Sequence, residues 1–395
     1  SQIDDAHETA RVVRSALPAA VLIVGGYHVS AVPEETLSRY PLFDMAVFGE
    51  GERTLREIVD AYASGGFLEK APDIKGLCYR EESKILKNAE RSFIEDLDSL
   101  AFPAYQMMPV EKYVGFYNIL MFPRRTLALS TGRGCPYKCI FCYKATGERY
   151  RVRSLDSVMA ELEKDISEFH IRDFVVTDES FIVGKERVAE FCERILRNRI
   201  NRKVNWICQS RVDHADYELF KLMKKAGCRV IAFGIESGNQ EILKKIKKGI
   251  TLEQAKKAVS MSRRAGILTD TNFILGHPWD TRETIEQTVS FSRELNADLT
   301  SFSLLVPFPG TIIADMAREG TGGLKIMTDD YSKYGKQVGG ALELEDIPRK
   351  EMEKMQIRAY LLFFMRPSKI LKLLRVVSVK MLLLMAWHVI SPKKS

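Results

Sequence analysis

Two hydrophobic periods alternate along the middle of the chain. Between residues 126 and 306, short apolar runs rich in β-branched residues alternate with longer stretches whose apolar residues recur at helical spacing. Continuous apolar runs are typical of buried parallel strands, and the second pattern is typical of amphipathic helices. Ser154 stands immediately before one such stretch and is expected to cap its helix. Six successive strand–helix units predict an α/β fold with a partial (β/α)6 TIM-like barrel over residues 124–315.

The same alternation appears in a shorter form near the start of the chain. Residues 20–26 form an apolar run that ends in two glycines, and residues 45–48 form another that precedes Gly49-Glu50-Gly51-Glu52. With a helical pattern over residues 54–62, they predict an incomplete Rossmann-like domain within residues 1–70. Residues 71–123 are predicted to be a connector that contains a hairpin, and residues 316–395 a helical C-terminal extension.

Length, charge and apolar runs argue for more than one domain and against a nucleic-acid-binding or membrane-spanning protein. The 395 residues exceed the size of one ordinary hydrophobic core. Much of the formal net charge of +7 arises near the C-terminus, which indicates a local basic patch and argues against a nucleic-acid-binding surface. No secretory signal is visible, and no apolar run approaches the roughly 20 residues that span a bilayer. A cytoplasmic location is therefore expected.

The basic patch lies on a predicted C-terminal helix over residues 367–390. Its basic residues fall within one arc of a helical wheel: Lys369, Lys372, Arg375 and Lys380. We expect this helix to pack against the barrel with its basic face in solvent. The alternative is peripheral contact with a membrane surface, or a role in admitting a lipid-like substrate.

Three of the seven cysteines lie on one loop after the first predicted barrel strand. Cys135, Cys139 and Cys142 have the spacing C-x3-C-x2-C, and such soft thiolate ligands select iron–sulfur clusters or zinc. Zinc would need a fourth ligand, but no Cys or His follows within twenty residues. Three thiolates can instead each bind one iron of a 4Fe-4S cubane and leave the fourth iron open. The other four cysteines are scattered and are expected in the core: Cys78, Cys192, Cys208 and Cys228.

The motif that ends in Phe141-Cys142, together with the strand–helix units after it, resembles the radical S-adenosylmethionine (SAM) superfamily over about residues 126–310. The resemblance implies that the open iron binds the amino and carboxylate groups of SAM. It also implies reductive cleavage of SAM to a 5′-deoxyadenosyl radical, with an electron from an external donor. A non-enzymatic iron–sulfur or zinc protein is the alternative from a different class.

The resemblance also implies SAM-binding roles for residues that follow successive predicted strands. Either Asp178 or Glu179 would bind the methionine ammonium. Arg211 would pair with the SAM carboxylate, and Glu236, followed by Ser237 in the same segment, would bind the ribose. The remaining candidates would lie near the adenine or the cluster: Phe141, Tyr143 and Gly276. His277, which follows Gly276, is given no role.

Residues 24–52 resemble the second half of a cobalamin-binding domain, in which the Gly25-Gly26 turn would approach the nucleotide tail of cobalamin. With the barrel, this is similar to the cobalamin-dependent class of radical SAM enzymes, which includes methyltransferases and ring-forming enzymes. The D-x-H-x-x-G segment that can supply the lower cobalt ligand is absent. We therefore expect the chain to be a fragment of a longer protein; a degenerate domain kept as scaffold is the alternative.

These features together predict a radical SAM enzyme that acts on a small-molecule or lipid-like substrate. Radical methyl transfer with cobalamin is the favoured reaction. Cobalamin-independent oxidation or cyclisation is the alternative.

Overall fold

The computed structural model describes residues 2–113, 125–335, 340–367 and 369. Within them the chain forms two main sheets, one of four strands near the N-terminus and one of six strands after it. All neighbouring strands of the larger sheet run parallel. The predicted α/β class and the parallel sheet of six strands are therefore confirmed.

The N-terminal sheet has the order β1-β2-β3-β4, with β1 and β2 parallel and the other neighbours antiparallel. The predicted hairpin is present as β3 and β4, and it extends this sheet. Its strands are β1 (Ile23–Gly25), β2 (Met45–Val47), β3 (Leu77–Glu81) and β4 (Lys84–Lys87). Five helices accompany them: α1 (Ile3–Ala16), α2 (Tyr27–Ala31), α3 (Pro33–Arg39), α4 (Gly51–Ala63) and α5 (Phe67–Lys70).

A short helix, α6 (Val110–Tyr113), precedes the larger sheet, whose strand order is β12-β11-β10-β9-β8-β5. Sequence order is thus also spatial order, as expected for a (β/α) barrel that has not closed. Its strands are β5 (Thr126–Leu129), β8 (Asp173–Val176), β9 (Asn205–Ser210), β10 (Cys228–Glu236), β11 (Leu268–Leu275) and β12 (Leu299–Leu304). A separate two-stranded ladder, β6 (Gly132–Arg133) and β7 (Arg151–Val152), flanks the cysteine loop.

Helices connect the strands of the larger sheet and cover its outer face. The predicted cap is confirmed, since the hydroxyl of Ser154 accepts a hydrogen bond from the backbone N–H of Ser157. The helices are α7 (Leu155–Phe169), α8 (Lys185–Arg197), α9 (Tyr217–Lys225), α10 (Gln240–Lys245), α11 (Leu252–Arg264), α12 (Arg282–Leu295) and α13 (Ile312–Glu319).

The C-terminal extension differs in part from the prediction. Residues 324–326 and 342–344 form strands and not helices, because β13 (Leu324–Ile326) pairs antiparallel with β14 (Leu342–Leu344). Helix α14 (Arg349–Phe364) follows. Of the four basic residues on the predicted helix only Lys369 is described, and its ammonium donates to the carbonyl oxygens of Asn296 (3.3 Å) and Ala297. The other three basic positions lie outside the described residues: Lys372, Arg375 and Lys380.

Side chains cover both edges of the six-stranded sheet. On β12, the backbone N–H of Phe302 donates to the hydroxyl of Tyr360 (3.0 Å). The backbone carbonyl oxygen of Phe302 accepts from the side-chain amide of Gln356 (2.6 Å). On β5, the hydroxyl of Tyr105 donates to the carbonyl oxygen of Ala128 (3.3 Å). These bonds satisfy backbone groups that an open edge would expose. Over the ranges that the structure describes, no helix has the length and hydropathy to cross a membrane.

Candidate functional site

The cysteine loop lies at the carboxyl ends of the parallel strands, where barrel enzymes carry their chemistry. Backbone hydrogen bonds fix both its ends: the N–H of Cys135 donates to the carbonyl oxygen of Gly147 (3.1 Å), and that of Ile140 to Ile246 (3.2 Å). Cys139 is buried, whereas Cys135 is partly exposed and Cys142 exposed. The four scattered cysteines are buried, as predicted: Cys78, Cys192, Cys208 and Cys228.

The three thiols of this loop fit an iron–sulfur cluster in which each thiolate binds a different iron. Among the described residues, no three His, Cys, Asp or Glu side chains lie close enough together to hold a single metal ion. A cubane does not need such a group, because its irons are separate atoms and each binds one thiolate. Desolvation and the neighbouring Cys139 raise the pKa of the Cys142 thiol to about 12. Cluster binding would therefore release protons from the loop.

Arg211 lies directly beside the loop, between β9 and the segment after α10. Its guanidinium stacks on the ring of Tyr137 at 3.6 Å from the centroid and donates to both carboxylate oxygens of Asp213. A further bond runs from Nη2 to the carbonyl oxygen of Lys248 (2.8 Å). Its Nη1 is buried without a hydrogen-bond partner in the part of the chain that the structure describes. A donor left unsatisfied in this position suits an incoming carboxylate.

Glu236 ends β10 in a left-handed backbone conformation (φ 75°) and forms an ion pair with Lys248 (2.8 Å). Both side chains are about nine-tenths buried. Burial opposes the charge of Lys248, but the carboxylate of Glu236 and the nearby Cys139 outweigh it and raise its pKa. Sequence reasoning missed Lys248, which follows a run of surface lysines. The one sequence feature that marks Lys248 is the glycine after it, and the structure places this Gly249 in the left-handed region (φ 69°).

The two acidic candidates after β8 have different surroundings. Asp178 is buried, and its two oxygens accept from the backbone N–H (2.7 Å) and the hydroxyl (2.6 Å) of Thr131 and from Tyr150 (3.1 Å). Glu179 is exposed and accepts from the N–H of Gly134 (2.6 Å). Asp178 therefore anchors the strand that leads into the cysteine loop, whereas Glu179 remains accessible at the barrel mouth.

A cavity of about 580 Å³ lies between the N-terminal sheet and the barrel mouth. The Gly25-Gly26 turn lines it on one side and Glu179 on the other. Tyr27, next to the turn, bridges the gap by donating from its hydroxyl to Oε1 of Glu179 (2.9 Å). Gly26 adopts φ 109°, and a Cβ atom there would meet no heavy atom within 4 Å, so its backbone faces open space. This accessible backbone fits a large cofactor that approaches the turn.

The remaining candidates take varied places around the site. Phe141 lies between the ammonium of Lys248 (5.9 Å) and the ring of His277 (5.8 Å). His277 is fully buried, and neither ring nitrogen has a hydrogen-bond partner among the described residues. Tyr143 packs against Gly310.

Two candidates are engaged in packing away from the loop. The hydroxyl of Ser237 contacts that of Thr288 on α12 (3.3 Å). A Cβ atom on Gly276 would come within 2.8 Å of the sulfur of Met352, so the glycine lets α14 approach.

Two family models match the chain. The Radical SAM superfamily model matches residues 129–292, and the B12 binding domain model matches residues 1–59. The first range contains all three clustered cysteines and the candidate SAM-binding residues after the strands: Asp178, Glu179, Arg211 and Glu236. The second contains the glycine turn. These matches agree with the family assignment that the motifs predict.

Relatives and solved structures agree with the models. The uncharacterized methyltransferase PH0819 of Pyrococcus horikoshii is 31% identical over 94% of this chain and 78% of its own length. The anaerobic magnesium-protoporphyrin IX monomethyl ester cyclase of Cereibacter sphaeroides is 31% identical over 92% of this chain but only 58% of its own length. The methyltransferase TsrM from Kitasatospora setae shares the fold, with a TM-score of 0.69 at 23% identity over 85% of this chain and 65% of that one.

Proposed function

Because this chain belongs to the radical SAM superfamily and to its cobalamin-dependent class, we propose that the protein is a radical SAM methyltransferase. A 4Fe-4S cluster, SAM and cobalamin together supply reductive cleavage of SAM and carriage of a methyl group. The observation that carries the proposal is the cavity between the Gly25-Gly26 turn and Glu179. A corrin cofactor bound at that turn would face the mouth of the barrel directly.

The residues at the mouth offer complementary partners for each polar part of SAM. The free Nη1 donor of Arg211 suits the carboxylate. Glu179 is the better partner for the ammonium, since it is exposed at the barrel mouth whereas Asp178 is buried. Among the described contacts of Glu236, only Oε1 takes part in the pair with Lys248, so Oε2 can accept from the ribose hydroxyls.

Lys248 holds two of these partners in place. Its ammonium balances the charge of Glu236 in a buried setting, where an unpaired carboxylate would be costly. Its carbonyl oxygen accepts from Arg211 and fixes the guanidinium beside the loop. Lys248 is thus a positioning residue that orients both the candidate ribose-binding carboxylate of Glu236 and the carboxylate-binding guanidinium of Arg211.

Ring formation is the second candidate reaction. It is favoured by the cyclase relative of Cereibacter sphaeroides, which is as similar in sequence as the methyltransferase of Pyrococcus horikoshii. The residues described above would serve either reaction, because both begin with SAM at the cluster. The fate of the SAM methyl group separates them.

The test uses SAM that carries a labelled methyl group. The reconstituted protein is incubated anaerobically with cobalamin, a reductant and this SAM, and the corrinoid is then extracted. Methyl transfer predicts label in the corrinoid fraction, and less of it in an Arg211→Ala variant that binds SAM weakly. Cleavage of SAM with no label in the corrinoid would contradict methyl transfer and favour the second candidate.

A further inference from the structure

A basic segment follows β10 and includes α10. Residues 240–249 contain four lysines and one acidic residue. Lys244, Lys245 and Lys247 are exposed, whereas Lys248 is buried. Of these four lysines, only Lys248 forms an ion pair within the residues that the structure describes. The other three therefore present positive charge to solvent without an ionic partner in that part of the chain.

This segment lies directly against the cysteine loop. The carbonyl oxygen of Ile246 accepts from the backbone N–H of Ile140 in the middle of that loop (3.2 Å). On the inner side, the ammonium of Lys248 lies 5.9 Å from the ring centroid of Phe141 on the same loop. On the outer side, the neighbouring Lys247 is exposed. The backbone between these two lysines therefore has solvent on one side and the cluster-binding loop on the other.

Apolar side chains are exposed close to these charges. Trp279 is 38% exposed, and the ammonium of Lys245 lies 5.2 Å from its ring. On α13, Ile312 is exposed, and the next residue, Ile313, donates from its N–H to the carbonyl oxygen of Ile140 (3.2 Å). Aromatic residues are enriched in protein–protein interfaces, so an exposed tryptophan beside a cation favours a protein as the partner of this surface.

The reductive cleavage of SAM consumes one electron, which an external donor must supply. Electron transfer between proteins slows steeply with distance, so the donor must approach a surface close to the cysteine loop. Positive charge at such a surface attracts a negatively charged partner and speeds its encounter. Complexes between redox proteins are also among the smallest specific interfaces, so a few side chains can form one.

We propose that Lys244, Lys245, Lys247 and Trp279 form a docking surface for a small acidic electron-carrier protein. In the docked complex the carrier is oxidised by one electron and the cluster is reduced by one, with no transfer of protons or groups. The inference rests on the proposed function, because a carrier is required only if SAM is cleaved reductively. An anionic membrane would be attracted by the same charges, but the position beside the cluster-binding loop favours the carrier.

The first test measures binding of an oxidised acidic flavodoxin, a small FMN protein, to the cluster-loaded full chain by isothermal titration. The double variant Lys244→Glu/Lys245→Glu should raise the dissociation constant about tenfold at roughly 0.02 M NaCl. The difference should vanish at about 0.5 M NaCl, where exposed charges are screened. Lys244→Arg/Lys245→Arg preserves the charge and should bind like the native chain.

The double variant Lys224→Glu/Lys225→Glu is the matched control. These lysines are also exposed and also lie in the last turn of a helix, α9. Because α9 leads into the amino end of β10, they lie at the end of the barrel opposite the cysteine loop. The control makes the same change in net charge and should keep the native affinity. Equal weakening by the two double variants would overturn the proposal, since binding would then depend on net charge alone.

The second test compares two reductants in the formation of 5′-deoxyadenosine. With limiting reduced flavodoxin, Lys244→Glu/Lys245→Glu should be about tenfold slower than the native chain. With dithionite it should match the native rate, because a small ion needs no docking surface.

Equal slowing with both reductants would overturn the proposal, as would an unchanged affinity for flavodoxin. A loss of binding to phosphatidylserine vesicles without a loss of flavodoxin binding would overturn it in favour of a membrane. Failure of the proposed function appears differently, as no product from the native chain with dithionite, and the titration still decides the docking surface.

Discussion

Glu50 of the N-terminal unit and Arg151 of β7 form a buried, two-pronged ion pair across the boundary with the barrel. The guanidinium donates to Oε2 (2.9 Å) and Oε1 (3.1 Å) of Glu50, and both side chains are at most 4% exposed. Arg133, just before the cysteine loop, donates to the same carboxylate (2.9 Å). The Gly-Glu-Gly-Glu motif thus fastens the N-terminal unit to the strands on both sides of the loop.

Glu50→Gln should lower the free energy of unfolding by about 3 kcal/mol, because it leaves buried arginine charge unpaired. Burial alone would raise the pKa of Glu50, but hydrogen bonds from Arg151, Ile94 and Arg133 lower it below its usual value. The stabilisation of the fold by this ion pair is therefore complete above the ordinary carboxyl pKa and is lost as the pH falls through the lowered pKa of Glu50. Urea unfolding at pH 7 measures the effect.

Glu52→Gln is the matched control for that experiment. Glu52 pairs with Arg133 at the surface, so its loss should cost less than about 1 kcal/mol. Equal destabilisation by the two variants would show that the buried pair has no special role.

Lys248→Met should weaken SAM binding by about tenfold and leave the iron content unchanged, since it removes the partner that holds Glu236. Lys248→Arg should restore part of the affinity. Isothermal titration of SAM into cluster-loaded protein measures both. The exposed neighbour Lys247→Met serves as control and should bind SAM normally; a similar loss there would argue against the role of Lys248.

Asp165 on α7 should make stability depend on pH near neutrality. It is buried near Glu161, and its desolvation raises the pKa to about 7. The folded state therefore holds a proton that the unfolded state releases above about pH 4, so stability falls as the pH rises from 4 to 7. Asp165→Asn should add roughly 2 kcal/mol at pH 8 and little at pH 4. Thermal melts of Asp165→Asn at pH 4 and pH 8 test this prediction, with the exposed Glu163→Gln as control. A stabilisation by Asp165→Asn that is the same at the two pH values would contradict the role of Asp165.

The sequence predicted the barrel well because its signals are local. Apolar period and capping residues such as Ser154 act within a few residues, and the cysteine spacing lies on one loop. Strand β14 was predicted as helix because three residues carry no reliable period and their pairing partner β13 lies elsewhere in the chain. Helix α1 was missed because it buries only Ile3 and Ala10 and so shows a narrow apolar stripe.

The supporting residues of the site could not be predicted in the same way. Lys248 looks like an ordinary surface charge in the sequence, and the motif that contains Glu50 does not reveal its partner; only tertiary contacts bury the two residues against Glu236 and Arg151. The choice between Asp178 and Glu179 likewise depends on which of the two the folded chain buries. Long-range pairing, and not local pattern, determines these roles.

The most direct measurement of the central claim is anaerobic formation of 5′-deoxyadenosine from SAM and dithionite by the cluster-loaded protein. The native chain should form it, and Cys192→Ala, which changes a buried core cysteine away from the loop, should form it at a similar rate. Cys135→Ala should reduce the rate by at least about a hundredfold, because one iron loses its ligand. Equal rates for Cys135→Ala and the native chain, or no product from the native chain with a full cluster, would contradict the account.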